Sequence, residues 1–270
     1  MKLTIGTLLA ATLIMSCSLE SVGAQTIYSQ DFTTGSGITL HGSTPTLANS
    51  FAGGSSGATW NVLSNSATAF INKDGSIGGN QNTALLAFTP QSGNVYTLSA
   101  TLNFTAAPGS WLALGFASRN PAQNAGSSKL TDNSATGPGG VAWMIANDAA
   151  GNNEQFFSGP GAVPSAGIGN AQALMSGAGT YTLTLDLDTR SSQWTISSFI
   201  DGVQLGTNFV YTSNPTITAV GIGENTLGAP GNAKFDTFDL SVTAVPEPSA
   251  LALAVVGAAM LMLVRRKSRV

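Results

Sequence analysis

The sequence has one cysteine, Cys17, and one histidine, His41. Cys17 falls in an N-terminal segment read below as removed on export, so the rest of the chain has neither disulfide nor thiol chemistry. A lone histidine excludes His-rich zinc sites and leaves little room for a His-based catalytic triad. Charge is also scarce: 9% of the 270 residues are charged, against roughly 25% in an ordinary soluble domain. Four of the ten basic residues sit in the last six positions. Between Gln25 and Val245 there are five basic and eleven acidic residues, a net charge of −6. Such a segment has no basic stripe for a phosphate backbone, so nucleic acid is excluded as a partner. Phosphate-binding glycine loops, dinucleotide fingerprints, Cys/His clusters and a Gly-x-Ser-x-Gly elbow are also missing.

The two ends of the chain are informative. Met1-Lys2 is followed by a largely apolar run from Leu3 to Met15 and a polar stretch closing on Ser21-Val22-Gly23-Ala24. One cation, a short apolar core and small residues before a cut form the layout of a secretory signal peptide. Val22 and Ala24 suit the positions read by signal peptidase, which places the cut between Ala24 and Gln25. Ile14-Met15-Ser16-Cys17 loosely resembles a lipobox, an alternative route in which Cys17 is lipidated.

At the other end, Val245-Pro246-Glu247-Pro248-Ser249 precedes Ala250 to Val264, fifteen residues without a polar side chain. Arg265-Arg266-Lys267 and Arg269 follow. Two prolines within three residues cannot join a helix interior, so an apolar helix is expected to start after Pro248. At about 1.5 Å per residue it reaches about 22 Å, short of the roughly 30 Å hydrocarbon core, and flanking residues and snorkelling arginines close the gap. The basic cluster then marks the cytoplasmic side, with the bulk of the chain outside the inner membrane. The order of these parts resembles the PEP-CTERM sorting signal over 26 of the 270 residues. That resemblance implies that a membrane-embedded, exosortase-type protease reads Pro246, Glu247 and Pro248 within the 245–249 motif and removes the helix. It also implies a final location in the cell envelope, at the cell surface or in an exopolysaccharide-containing matrix. The expected organisation is a signal peptide over 1–24, a β-domain over 25–243 and a sorting signal over 244–270, with its transmembrane helix at 250–264 and basic tail at 265–270.

The middle segment reads as all-β. Short apolar runs recur between Gly, Ser, Thr and Asn clusters, the pattern of a sandwich or barrel. Tyr181 to Asp188 alternates apolar and polar residues, and Asn94 to Phe104 does the same with Tyr96, Leu98, Ala100, Leu102 and Phe104 on one face. Period-two alternation buries one face of a strand and wets the other. Gln193 to Ile200 and Val203 to Tyr211 read as a hairpin joined by Asp201-Gly202, which supplies the positive φ angles of a tight turn. Asp74-Gly75 marks another turn. Trp111 to Phe116 and Val141 to Ile145 are apolar on both faces, suiting strands covered on both sides or strands whose open face carries a ligand. Helices are expected only at the two ends.

A Tyr28 to Phe32 strand at the start and a Phe235-Asp236-Thr237-Phe238 ending resemble a concanavalin A-like, laminin G-like jelly roll, in which the first and last strands pair. The resemblance implies an antiparallel two-sheet sandwich. It also implies a place for a structural calcium ion at Asp31 and Asp236, brought together by that pairing; no other cofactor is expected. Glycoside hydrolases on this fold carry a Glu-x-Asp-x-x-Glu strand, and glycosidic hydrolysis needs two carboxylates converging on the sugar. The nearest approach here, Asp186-Leu187-Asp188, lies on the polar face of an amphipathic strand, and Glu154 and Glu224 stand beside Asn in expected turns. Trp60, Trp111, Trp143 and Trp194 are the available sugar platforms, though Trp194, Trp111 and Trp143 sit in strands that read as core. Three readings follow: a non-catalytic envelope or matrix protein, with exopolysaccharide among its partners; a lectin-like carbohydrate-binding module; and a divergent polysaccharide hydrolase.

Overall fold

The computed structural model describes residues 23–64, 70–78, 82–104, 111–118, 140–147, 155–158, 178–224 and 233–244. Residues 1–22 of the expected signal peptide, the Val245–Ser249 motif, the apolar run after it and the Arg265-Arg266-Lys267 cluster lie outside these residues. Every regular element among the described residues is a strand. In chain order they are β1 (Gln25–Asp31), β2 (Leu47–Ala48), β3 (Asn61–Ser64), β4 (Phe70–Ile71), β5 (Ile77–Gly78), β6 (Asn82–Ala87), β7 (Asn94–Phe104) and β8 (Trp111–Ala117). Then come β9 (Gly140–Asn147), β10 (Gln155–Ser158), β11 (Gly179–Asp188), β12 (Thr195–Ile200), β13 (Val203–Gln204), β14 (Phe209–Val210), β15 (Ala219–Glu224) and β16 (Ala233–Ala244).

They form two large antiparallel sheets and one small hairpin. The first sheet runs β13-β12-β11-β7-β16-β1-β2, with β14 also on β12; the second runs β10-β9-β8-β15-β6-β3; β4 and β5 pair separately. The expected pairing of first and last strands is present, from Gln25 opposite Val242 to Asp31 opposite Thr237.

The alternating strands do what their pattern requires. On β7 and β11, Leu98, Leu102, Leu183, Leu185 and Leu187 are fully buried, and Phe104 nearly so. They meet Leu86, Leu112, Leu114, Met144, Phe156 and Ile222 of the second sheet in one core between the sheets. Burying each such side chain contributes about 1.5–3 kcal/mol. With no cysteine after Cys17, this core holds the domain without disulfides. Two of the polar groups drawn inside are paired: the Trp60 indole Nε1 donates to Gln30 Oε1 at 3.1 Å, and the Tyr28 hydroxyl donates to the Ala87 carbonyl at 2.6 Å.

Both turns read from the sequence form. Asp201 and Gly202 adopt φ of 49° and 78°, and Ile200 pairs with Val203 across them. The returning strand differs from the expected continuous Val203–Tyr211: it breaks into β13 and β14, which pair with opposite ends of β12. Gly206 takes a φ of 73° between them, and the Leu205 N–H instead donates to the Ser198 carbonyl at 2.8 Å. A left-handed residue cannot continue a pleated strand, so the edge is interrupted there. At the second turn Gly75 has a φ of 75°, and the Asp74 carboxylate accepts the Ser76 N–H at 3.1 Å.

Candidate functional site

The β1–β16 pairing and the Asp74–Gly75 turn meet at one place on the domain. The Phe32 N–H donates to the Asp236 carbonyl at 3.1 Å, and the Phe235 N–H donates to the Gly75 carbonyl at 3.1 Å. The turn is thereby held against the start of β16, beside the end of β1. The result is a depression of about 510 Å³ lined by Asp31, Phe32, Thr33, Asp74, Ser76, Lys234, Asp236 and Thr237. That volume lies within the range of small-ligand sites.

Its polar groups are differently committed. Lys234 Nζ sits 2.8 Å from Asp236 Oδ1. Both side chains are partly exposed, so the pair contributes orientation more than stability. Partial burial pushes the Asp74 carboxyl up, but hydrogen bonds from the Ser76 hydroxyl, the Ser76 N–H and the Ser36 hydroxyl outweigh it, leaving Asp74 below its usual range. The stability it contributes is present above the unfolded carboxyl pKa and is lost as pH falls through the lower folded value. Asp31 is exposed; its own N–H donates to Thr46 Oγ1 at 3.2 Å.

The two aspartates assigned to calcium therefore do share one wall. The donor set is thin for that ion, which takes six to eight oxygens. Asp236 already faces an ammonium, and among the described residues no group of three or more His, Cys, Asp or Glu converges in a way that could hold a metal.

The other singled-out residues are dispersed. Asp186 and Asp188 lie on the outer face of β11. Asp186 accepts the Thr97 hydroxyl at 2.7 Å, and Asp188 is paired with Arg190, whose Nε donates to it at 2.9 Å. Glu224 is not a turn residue: it ends β15, is 3% exposed, and its Oε2 accepts Asn82 Nδ2 at 3.0 Å. That contact spans 142 positions. A carboxylate at a sheet end can be buried because a donor on the neighbouring strand meets it. Glu224→Leu should cost about 1–3 kcal/mol, because it strips an acceptor from a buried amide; urea unfolding of the variant checks this. Glu154 and the Trp111 side chain lie outside the described residues. The His41 ring is a structural acceptor, its Nδ1 taking the Val62 N–H at 3.1 Å.

The tryptophans separate by face. Trp60 is in the main core, edge-on to Phe238 at 5.1 Å, and Trp194 packs against that core from its rim. Trp143 is buried, but not in the main core. With Leu63, Leu85, Ala113, Ala117, Phe157 and Ala219 it forms a second cluster. Trp143 and Phe157 pair directly across β9 and β10, so they share a face, and their rings stack at 3.7 Å. On β9 the neighbours Ala142 and Met144 belong to the main core, so alternation puts this cluster on the opposite side of the second sheet. The doubly apolar strands are thus covered on both faces. Nothing in a period-two pattern says which apolar face meets the other sheet.

No protein-family model matches the sequence, and no curated protein matches it. Solved structures do. An endo-1,3-β-glucanase from Streptomyces sioyaensis superposes with a TM-score of 0.50 at 16% identity, covering 82% of this chain and 97% of that one. The exoplasmic/lumenal domain of VIP36, in a Ca2+/Man-bound form, gives 0.46 at 9% identity, over 83% and 93% of the two chains. The Emp47p carbohydrate recognition domain gives 0.44 at 12%, over 82% and 96%. At such identities the first likeness is one of fold alone, and it identifies the sandwich as a concanavalin A-like jelly roll.

Proposed function

We propose that this chain is an exported, non-catalytic carbohydrate-binding protein of a bacterial cell envelope or extracellular matrix, processed by signal peptidase and sorted by its C-terminal tail. A shared fold does not carry an activity, so the reading rests on the depression at the end of β1 and β16. Its carboxylates accept hydrogen bonds, its Ser and Thr hydroxyls do both, and Lys234 donates. That mixture matches a polyol, whose every hydroxyl is also both donor and acceptor. Binding without turnover follows from the same groups. A glycosidase needs one carboxyl raised to act as an acid; Asp74 is held low by its hydroxyl partners, and Asp236 is engaged by Lys234. The signal peptide and the Pro246-Glu247-Pro248 tail support the location, and exopolysaccharide is the partner that location supplies.

A glycan array probed with the purified full chain tests this. Asp31→Ala and Asp236→Ala should each weaken the strongest signals about tenfold, the size of one lost charge-assisted hydrogen bond. Asp239→Ala, on the outer face of β16 opposite Ser29, should leave them unchanged. The wild-type protein should release no reducing ends from β-glucan, galactan or alginate. Glycan signals indifferent to Asp31 and Asp236 would remove the depression from the argument, and polymer cleavage would remove the non-catalytic reading.

A further inference from the structure

Away from the depression, the outer face of the first sheet has a chemistry of its own. β7 and β11 pair without a bulge over ten positions, from Gly179 opposite Phe104 to Asp188 opposite Val95. At about 3.4 Å per residue this is an uninterrupted platform about 30 Å long. Its inward side chains are the core leucines. Most of its outward ones are short hydroxyls in facing rows: Thr182 lies opposite Thr101 and Thr184 opposite Ser99, flanked by Thr180 opposite the Asn103 amide at one end and by Thr97 opposite Asp186 and Val95 opposite Asp188 at the other. A solvated sheet face ordinarily carries long charged side chains. Across β7, β11 and β12 the only charged residues are Asp186 and Asp188, and the second is neutralised by Arg190.

The hydroxyls are also weakly engaged with one another. Thr101 and Thr182 are 3.4 Å apart, and Asn103 Nδ2 reaches Thr180 Oγ1 at 3.4 Å, the far limit of a hydrogen bond. Exchanging such contacts for ligand contacts costs little. Short Ser and Thr side chains also lose less rotamer freedom on binding than Lys or Glu would.

We propose that this face is a second contact surface, for an extended, uncharged, polyhydroxylated polymer lying along β7 and β11. Each side-chain hydroxyl offers one donor and two acceptors, so it meets a polymer hydroxyl in either sense. The threonine side chains also carry methyl groups, an apolar element for the polymer's C–H faces. A polyanion gains nothing here: the three strands carry no cation, and their two carboxylates stand together at one end. The inference goes beyond the depression and does not depend on it.

The test is depletion of the full-length protein, in mild detergent, by amorphous cellulose as the neutral polymer and by calcium alginate gel as the anionic one. Thr182→Lys and Thr184→Lys are compared with wild type and with Asp31→Ala. Both lysine variants point outward and should melt within a few degrees of wild type, which confirms their fold. The expected result is retention on cellulose but not on alginate, an apparent affinity about tenfold lower in each lysine variant, and no change in Asp31→Ala. Three results overturn the proposal: no retention of wild type on cellulose, lysine variants retained as well as wild type, or loss confined to Asp31→Ala. The last would return all polymer binding to the depression.

Discussion

Gly75→Val should unfold the domain at ambient temperature or lower its melting point by about 10 °C or more, the result of a loss of at least about 4 kcal/mol. Two independent effects add at this position. The backbone φ of 75° is disfavoured for any residue with a Cβ, by roughly 1–2 kcal/mol. A Cβ there would also lie 1.8 Å from the Phe235 carbonyl oxygen and 3.0 Å from the Phe32 Cβ. That oxygen is backbone in β16 and cannot move without breaking the Phe235 N–H bond to the Gly75 carbonyl. Gly202→Ala is the matched comparison. Its φ of 78° is the same, but nothing lies within 4 Å of the added atom. It should cost only the conformational term, about 1 kcal/mol. Urea denaturation of the two variants side by side separates strain from collision. Equal losses would show that contact with β16 does not hold the turn.

The second large effect concerns the tail. Glu247→Ala or Pro248→Ala should leave export intact and abolish release of the C-terminal helix. The sorting resemblance assigns recognition to these residues, and nothing in the signal-peptide segment depends on them. Intact-mass measurement in wild-type cells and in cells without the exosortase-type protease reads the outcome directly. Wild type should lose its tail only where the protease is present, and both variants should keep it everywhere. A tail retained equally in all strains, or lost equally in all, would leave the motif as a proline-rich stalk before an ordinary anchor.

The sequence disclosed those features whose cause is local. Alternation in Tyr181–Asp188 and Asn94–Phe104 identified which side chains face inward, because strand geometry allows no other period. Asp201-Gly202 and Asp74-Gly75 announced turns, because few other pairs tolerate positive φ. The closing of the sheet by its first and last strands came from family likeness rather than from any local signal. What escaped was set by distant partners. Glu224 looked like a turn residue because Asn82, which makes its burial tolerable, lies 142 positions away. Trp143 is buried, as its strand suggested, but which of the two clusters it joins could not be read, because two apolar faces cannot be ranked without knowing which one the other sheet covers. The candidate depression was half visible: Asp31 and Asp236 were named, whereas Asp74, Ser76 and Lys234 join them only through the docking of one turn on β16.

The pairing of β1 with β16 also governs when the domain can fold. Gln25 and Val242 are partners, so the strand that joins β7 to β1 in the first sheet is made after every other described strand. Until it arrives, Phe235, Phe238 and Leu240 are missing from the core they help to fill, and β7 has no neighbour on one side. Contacts of such sequence separation form slowly, because a long loop must close before any of them is rewarded. A chain emerging N-terminus first therefore stays open until β16 has been made. The same delay exposes unpaired edges, so products truncated before Ala233 should aggregate or be degraded rather than accumulate as a smaller domain.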